Sequence, residues 1–121
     1  MYVLHIDDEP PIRSMVADML EALGYEAGSA SSVAEGLKLA AERKPDLIIM
    51  DVMMPGVDGY EGCRRFRAIE AFREVPILML SALGSRQDQE RARQAGANDF
   101  LVKPIGMAAF KAKLEQYRCQ T

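Results

Sequence analysis

Four short apolar runs, Tyr2 to Ile6, Leu47 to Met50, Ile77 to Leu80 and Phe100 to Val102, are continuous where a half-exposed strand would alternate. Strands buried on both faces read this way, and both faces are covered chiefly in parallel sheets flanked by helices. A fifth, weaker candidate, Tyr25 to Ser29, is polar and contains a glycine, which suits a sheet edge.

The segments between these runs carry helical period. Ile12, Met15, Val16, Met19, Leu20 and Leu23 form one apolar stripe, with Pro11 near the first turn and Gly24 placed to stop it. Ser32, with Glu35 three residues on, predicts a capping box for a second helix through Val33, Leu37, Ala40 and Ala41. A third helix is predicted from Tyr60 to Glu70, carrying Cys63, Phe66 and Ile69. The fourth, about Arg86 to Ala95 and closed by Gly96, has little beyond Ala92 and Ala95 to bury, so it is expected to be the least firmly docked. Met107, Phe110, Leu114 and Tyr117 stripe a fifth helix running nearly to Thr121.

Strand and helix therefore alternate five times, which implies helices on both faces of a parallel sheet. Right-handed crossovers restrict the topology to a doubly wound α/β sheet, and for five strands the flavodoxin-like order 2-1-3-4-5 is the expected one. No linker or repeat divides the 121 residues, so residues 1–121 are read as a single domain. A chain of this size buries roughly two-thirds of its unfolded surface and needs no disulfide or structural metal.

With 15 Lys+Arg against 18 Asp+Glu, the net charge of -3 argues against a general nucleic-acid grip. Cys63 and Cys119 are far apart, lack metal-ligand spacing and have only His5 as a companion, so they read as reduced thiols. The N-terminus lacks the basic, long apolar character of a signal peptide, and no run approaches a membrane span. A cytoplasmic protein with no membrane contact is expected.

In a doubly wound sheet the site lies beyond the carboxyl ends of the strands, where the strand order reverses. The first strand ends in Asp7-Asp8-Glu9, the third in Asp51, the fourth in Ser81 and the fifth in Lys103-Pro104. Taken singly, each has an ordinary explanation: Asp8 or Glu9 would favour a helix N-terminus, Ser81 would cap a helix, and Lys103 would be a solvated cation. Together, three carboxylates from Asp7, Asp8 and Asp51 would repel at one point unless a cation sits there. An oxygen-only ligand set suits Mg²⁺ or Mn²⁺ and disfavours zinc and copper. With such a cation and the Lys103 ammonium nearby, the Asp51 carboxylate can attack a phosphoryl group and become an acyl phosphate.

Asp7-Asp8-Glu9, the stretch Met50 to Gly59, the pair Ser81-Ala82 and the stretch Gly96 to Pro104 together resemble the receiver domain of two-component response regulators. The resemblance implies that Asp51 accepts phosphate from a sensor histidine kinase or a histidine phosphotransfer protein. It further implies that Asp8, Asp51 and the backbone carbonyl of Met53 ligate Mg²⁺ directly, with Asp7 acting through metal-bound water. Ser81 would donate to the phosphoryl, with Lys103 paired to it, and Phe100 would sit at the aromatic switch position. The Lys103-Pro104 bond is similar to one that is cis in the family. A shift of the fourth helix, fifth strand and fifth helix would control an output domain or effector, and a homodimer formed on phosphorylation is compatible with this. The sequence continues into no output domain, which fits a single-domain regulator or the receiver of a larger protein.

Phe100 departs from the commoner Tyr of the family, so an inward-held ring would rest on packing alone. A phosphohydrolase would want a carboxylate two residues after Asp51, where Met53 stands, and a flavin or nucleotide binder would want a phosphate loop in place of Asp7-Asp8-Glu9. A degenerate receiver serving only as an interaction module would not need the intact Asp, Ser and Lys set. His5 reads as a packed core side chain, the eight methionines as core filler, and Arg64, Arg65 and Arg67 as a solvated face. Gly56 and Gly59 are expected to serve the turn after Asp51.

Overall fold

The computed structural model of the chain describes residues 1–118. Its elements alternate as expected: β1 (Tyr2–Ile6), α1 (Pro10–Ala22), β2 (Glu26–Ala30), α2 (Val33–Glu42), β3 (Leu47–Asp51), α3 (Gly59–Arg67), a 3₁₀ turn (Glu70–Phe72), β4 (Ile77–Ser81), α4 (Arg86–Ala95), β5 (Asp99–Val102) and α5 (Met107–Arg118). The strands form one sheet in the order β2-β1-β3-β4-β5, and every pairing is parallel. Cys119 and the end of the last predicted helix lie outside the described residues.

Every residue of β3 and β4 is buried, the physical counterpart of their unbroken apolar sequence. Side chains alternate between two cores. Leu4, Ile6, Ile48, Met50, Ile77 and Met79 pack with Val33, Ala40, Tyr60, Cys63, Phe66, Ala92 and Ala95, so α2, α3 and α4 cover one face. Val3, Leu47, Ile49, Leu78, Leu80 and Leu101 pack with Val16, Leu20, Phe110, Leu114 and Tyr117, so α1 and α5 cover the other.

The stop signals act as glycine chemistry dictates: Gly24 and Gly96 adopt φ of 89° and 109° after α1 and α4. Ala92 and Ala95 are the buried residues of α4, as its thin stripe implied. That helix carries a full capping box, Ser85 with Asp88, which the sequence reading passed over. At α2, Ser32 Oγ accepts from the Glu35 N–H at 3.1 Å, whereas Glu35 Oε1 accepts from the Ser31 N–H at 2.8 Å, one residue earlier than in the expected box.

Several boundaries differ from expectation. The edge strand starts at Glu26, because Tyr25 turns into the core between α1 and α5. The third helix ends at Arg67, and the chain folds back through the 3₁₀ turn so that Phe72 meets Phe66 edge to face, centroids 5.5 Å apart. Met15 and Met107 belong to the expected stripes but are exposed: Met15 lines an open cleft beside Pro104 and Ile105, and Met107 is the first residue of its helix.

Arg67 is the clearest correction. Its guanidinium is no part of a solvated face: it donates to the carbonyls of Gly96, Phe72 and Val75 at 2.9, 2.8 and 2.7 Å and to Asn98 Oδ1 at 2.7 Å. Asn98 Oδ1 also accepts the Ile77 N–H at 2.9 Å. One side chain thus ties the end of α3, the start of β4 and the loop from α4 to β5. Arg64 and Arg65 do lie in solvent, both paired with Glu61.

Candidate functional site

Because all five strands are parallel, their carboxyl ends share one edge, and β1 and β3 are neighbours there. Asp7 follows β1 directly, Asp51 and Ser81 are the last residues of β3 and β4, and Lys103 follows β5. Asp7, Asp51 and Ser81 are 0%, 2% and 1% exposed, an unusual depth for polar groups.

One carboxylate oxygen from each of Asp7, Asp8, Glu9 and Asp51 lies within 4.8 Å of the others. Glu9 is the member that sequence reasoning missed. It occupies the N-cap position of α1, where the ordinary alternative for Asp8 or Glu9 would put it, but its side chain makes no cap hydrogen bond. Its place in the unbroken acidic run was the available signal. Lys103 Nζ bonds Asp51 Oδ1 at 3.1 Å and stands 3.5 Å from Asp7 Oδ2. The Lys103-Pro104 bond is cis, in agreement with the resemblance.

Burial pushes the Asp51 carboxyl up to about 6; the charges of Asp7 and Asp8 act in the same direction, and the Lys103 hydrogen bond opposes them. For Lys103 burial disfavours the ammonium, yet the bond to Asp51 and the charges of Asp51, Asp7 and Glu9 outweigh it and raise its pKa. Asp7 Oδ2 and Asp8 Oδ1 are buried without a hydrogen-bond partner. Oxygen donors gathered at this distance, two of them unsatisfied, fit a hard divalent cation of the Mg²⁺ type.

Beside the acidic cluster, Ser81 Oγ accepts the Leu83 N–H at 3.0 Å and does not cap α4, a task that Ser85 performs. Gly59 donates its N–H to the Val52 carbonyl at 2.9 Å, and a Cβ there would overlap the Asp51 carbonyl oxygen, so only glycine lets α3 begin this close to the site. Gly56, at φ 79°, makes the preceding turn. Met53 and Leu83 are 60% and 56% exposed and border a groove of about 520 Å³ that also reaches Tyr60 and Arg91. Phe100 is half-buried against the core on the α4 side, paired in register with Met79. His5 is fully buried, in keeping with a packed side chain.

The sequence of residues 3–115 matches the response regulator receiver domain, and the chain belongs to that family, which serves two-component signalling. It is 40% identical over 112 residues to the DNA-binding dual master transcriptional regulator RpaA of Synechocystis sp., an alignment covering 93% of this chain and 46% of RpaA. The chain spans about half the length of the first curated relatives that it matches. Among solved structures it superposes on chemotaxis protein CheY4 of Vibrio cholerae with a TM-score of 0.92 at 34% identity, covering 96% of this chain and 97% of that one. The receiver domain of sensor histidine kinase PA1611 from Pseudomonas aeruginosa, described with a magnesium ion coordinated in its active-site cleft, gives 0.88 at 34% identity, with 96% and 95% covered. No helix of the described residues is long and apolar enough to cross a membrane.

Proposed function

We propose that Asp51 accepts a phosphoryl group from the phosphohistidine of a sensor kinase or histidine phosphotransfer protein, forming a P–O bond as the donor P–N bond breaks. One observation carries this reading: a nearly fully buried carboxylate, bonded at 3.1 Å by a lysine ammonium, stands within a cluster of three further carboxylates. Asp8, Asp51 and the Met53 carbonyl would hold Mg²⁺, or Mn²⁺, directly, and Asp7 through water. When bound, the ion neutralises negative charge on the phosphoryl oxygens. Lys103 offsets charge on the same group from the side of β5, and Ser81, whose oxygen accepts the Leu83 N–H, offers its O–H as a donor.

Withdrawal of Ser81 toward a phosphoryl on Asp51 would free space beside α4 for Phe100, so the state of the site would be read on the face formed by α4, β5 and α5. The thin packing of α4 supports this, since two alanines are all that it buries. We read residues 1–121 as one receiver unit, acting alone or ahead of an output domain as the length of RpaA allows. Met53, exposed where a phosphohydrolase would place its second carboxylate, argues against hydrolysis of an external substrate.

The test is incubation with Mg²⁺ and acetyl phosphate, followed by mass spectrometry of peptides. The expected adduct maps to Asp51, requires Mg²⁺ and is absent in Asp51→Asn. Labelling elsewhere, or labelling of Asp51 that persists in chelator, would overturn the assignment.

A further inference from the structure

The sole histidine of the chain stands directly beneath the acidic cluster. Strand alternation sends Val3, His5 and Asp7 to one side of the sheet, toward α1 and α5. His5 is 0% exposed, and neither Nδ1 nor Nε2 has a hydrogen-bond partner. An imidazole ring bears at least one N–H whatever its protonation state. An unpaired buried N–H forfeits its hydration with nothing in return. A leucine would fill the same strand position without that loss, so core filling does not account for an imidazole here.

The group facing the ring is itself unsatisfied. Asp7 Oδ2 is buried, has no hydrogen bond and lies 3.7 Å from His5 Nε2. The other oxygen, Oδ1, is engaged by the Glu9 N–H at 2.9 Å, and the Asp7 carbonyl by the Arg13 guanidinium at 2.9 Å. Two hydrogen bonds thus hold Asp7, Lys103 Nζ stands 3.5 Å from Oδ2, and a movement of under about 1 Å would bring His5 Nε2 to hydrogen-bond length.

We infer that His5 is a positioning residue for Asp7, donating from Nε2–H to Asp7 Oδ2 and so fixing the carboxylate that faces the cation site. This role rests on the metal site proposed above. Carboxylates at metal sites need such supporting hydrogen bonds, and losing one typically weakens metal binding 10–100-fold.

The experiment titrates Mg²⁺ into the wild type, His5→Leu, His5→Gln and Asp8→Ala, following amide shifts by NMR and heat by calorimetry, with urea midpoints measured in parallel. We expect His5→Leu to weaken Mg²⁺ binding about 10-fold while its urea midpoint stays level or rises. His5→Gln, whose amide nitrogen reaches where Nε2 stood, should recover most of the affinity. Long-range ¹H–¹⁵N spectra of the wild type should show the Nε2-protonated tautomer, with a signal that moves on adding Mg²⁺. Should His5→Leu fail to fold, that wild-type spectrum alone decides. Unchanged Mg²⁺ affinity in His5→Leu, or an Nδ1-protonated ring, overturns the role of His5 and leaves the metal site standing. A wild type that binds no Mg²⁺, or an Asp8→Ala variant that binds it equally well, overturns the metal site and the role of His5 with it.

Discussion

Replacing Asp51 by Asn should stabilise the metal-free protein. The wild-type carboxyl is raised from 3.8 to about 6, with burial the largest cause and Asp7, Asp8 and Lys103 as the charged neighbours. At about 1.36 kcal/mol per pK unit, its ionisation at neutral pH opposes folding by up to about 3 kcal/mol. Asp8 is partly exposed, so solvent screens its repulsion of Asp51 and brings the expected gain nearer 2 kcal/mol. For a chain of this length that is roughly 8 °C in Tm. Between pH 4 and 6 the folded wild type keeps a proton that its unfolded form has lost, so its stability falls as pH rises through that window. The Asn side chain does not titrate, and it still offers an oxygen to Lys103. The stability gap should therefore open from about pH 4 to 6 and stay level above. Thermal and urea unfolding followed by circular dichroism in EDTA would measure this, and Mg²⁺ should narrow the gap by favouring the wild type. A variant no more stable than the wild type at pH 7.5, or a gap that persists unchanged below pH 4, would refute the reasoning.

Arg67→Met should cost about 3 kcal/mol, since the carbonyls of Gly96, Phe72 and Val75 lose a charged donor; a urea midpoint within error of the wild type would show that the clamp is dispensable. Beryllofluoride with Mg²⁺ should move backbone amide resonances from Ser81 to Phe100, and changes confined to the loop after Asp51 would count against the proposed output face. Met53 and Leu83 offer no group to orient an attacking water, so the phosphorylated state should be comparatively long-lived. Dephosphorylation followed after donor removal should accelerate several-fold in Met53→Asn and Leu83→Glu, and equal rates would show that these side chains do not set the lifetime.

Which residues would meet at the site was legible because strand ends are a local signal. A continuous apolar run marks a strand covered on both faces, and parallel strands deliver whatever follows them to one edge. Asp7, Asp8, Asp51, Ser81 and Lys103 could therefore be grouped from order alone. The stop at Gly96 and the thin stripe of α4 were equally local, set by backbone freedom and by spacing along one helix.

Tertiary structure alone decided what depends on pairs distant in sequence. Arg67 sits 29 residues from Gly96 and 31 from Asn98, so nothing in the arginine-rich end of α3 distinguishes it from its solvated neighbours Arg64 and Arg65. Helical period places Met15 and Met107 on a stripe, but only the fold around each helix determines how much of that stripe is covered. Strand period likewise puts His5 and Asp7 on one side of the sheet. That their facing atoms lie 3.7 Å apart without hydrogen-bond partners depends on how α1, β5 and the loop after β1 close around them.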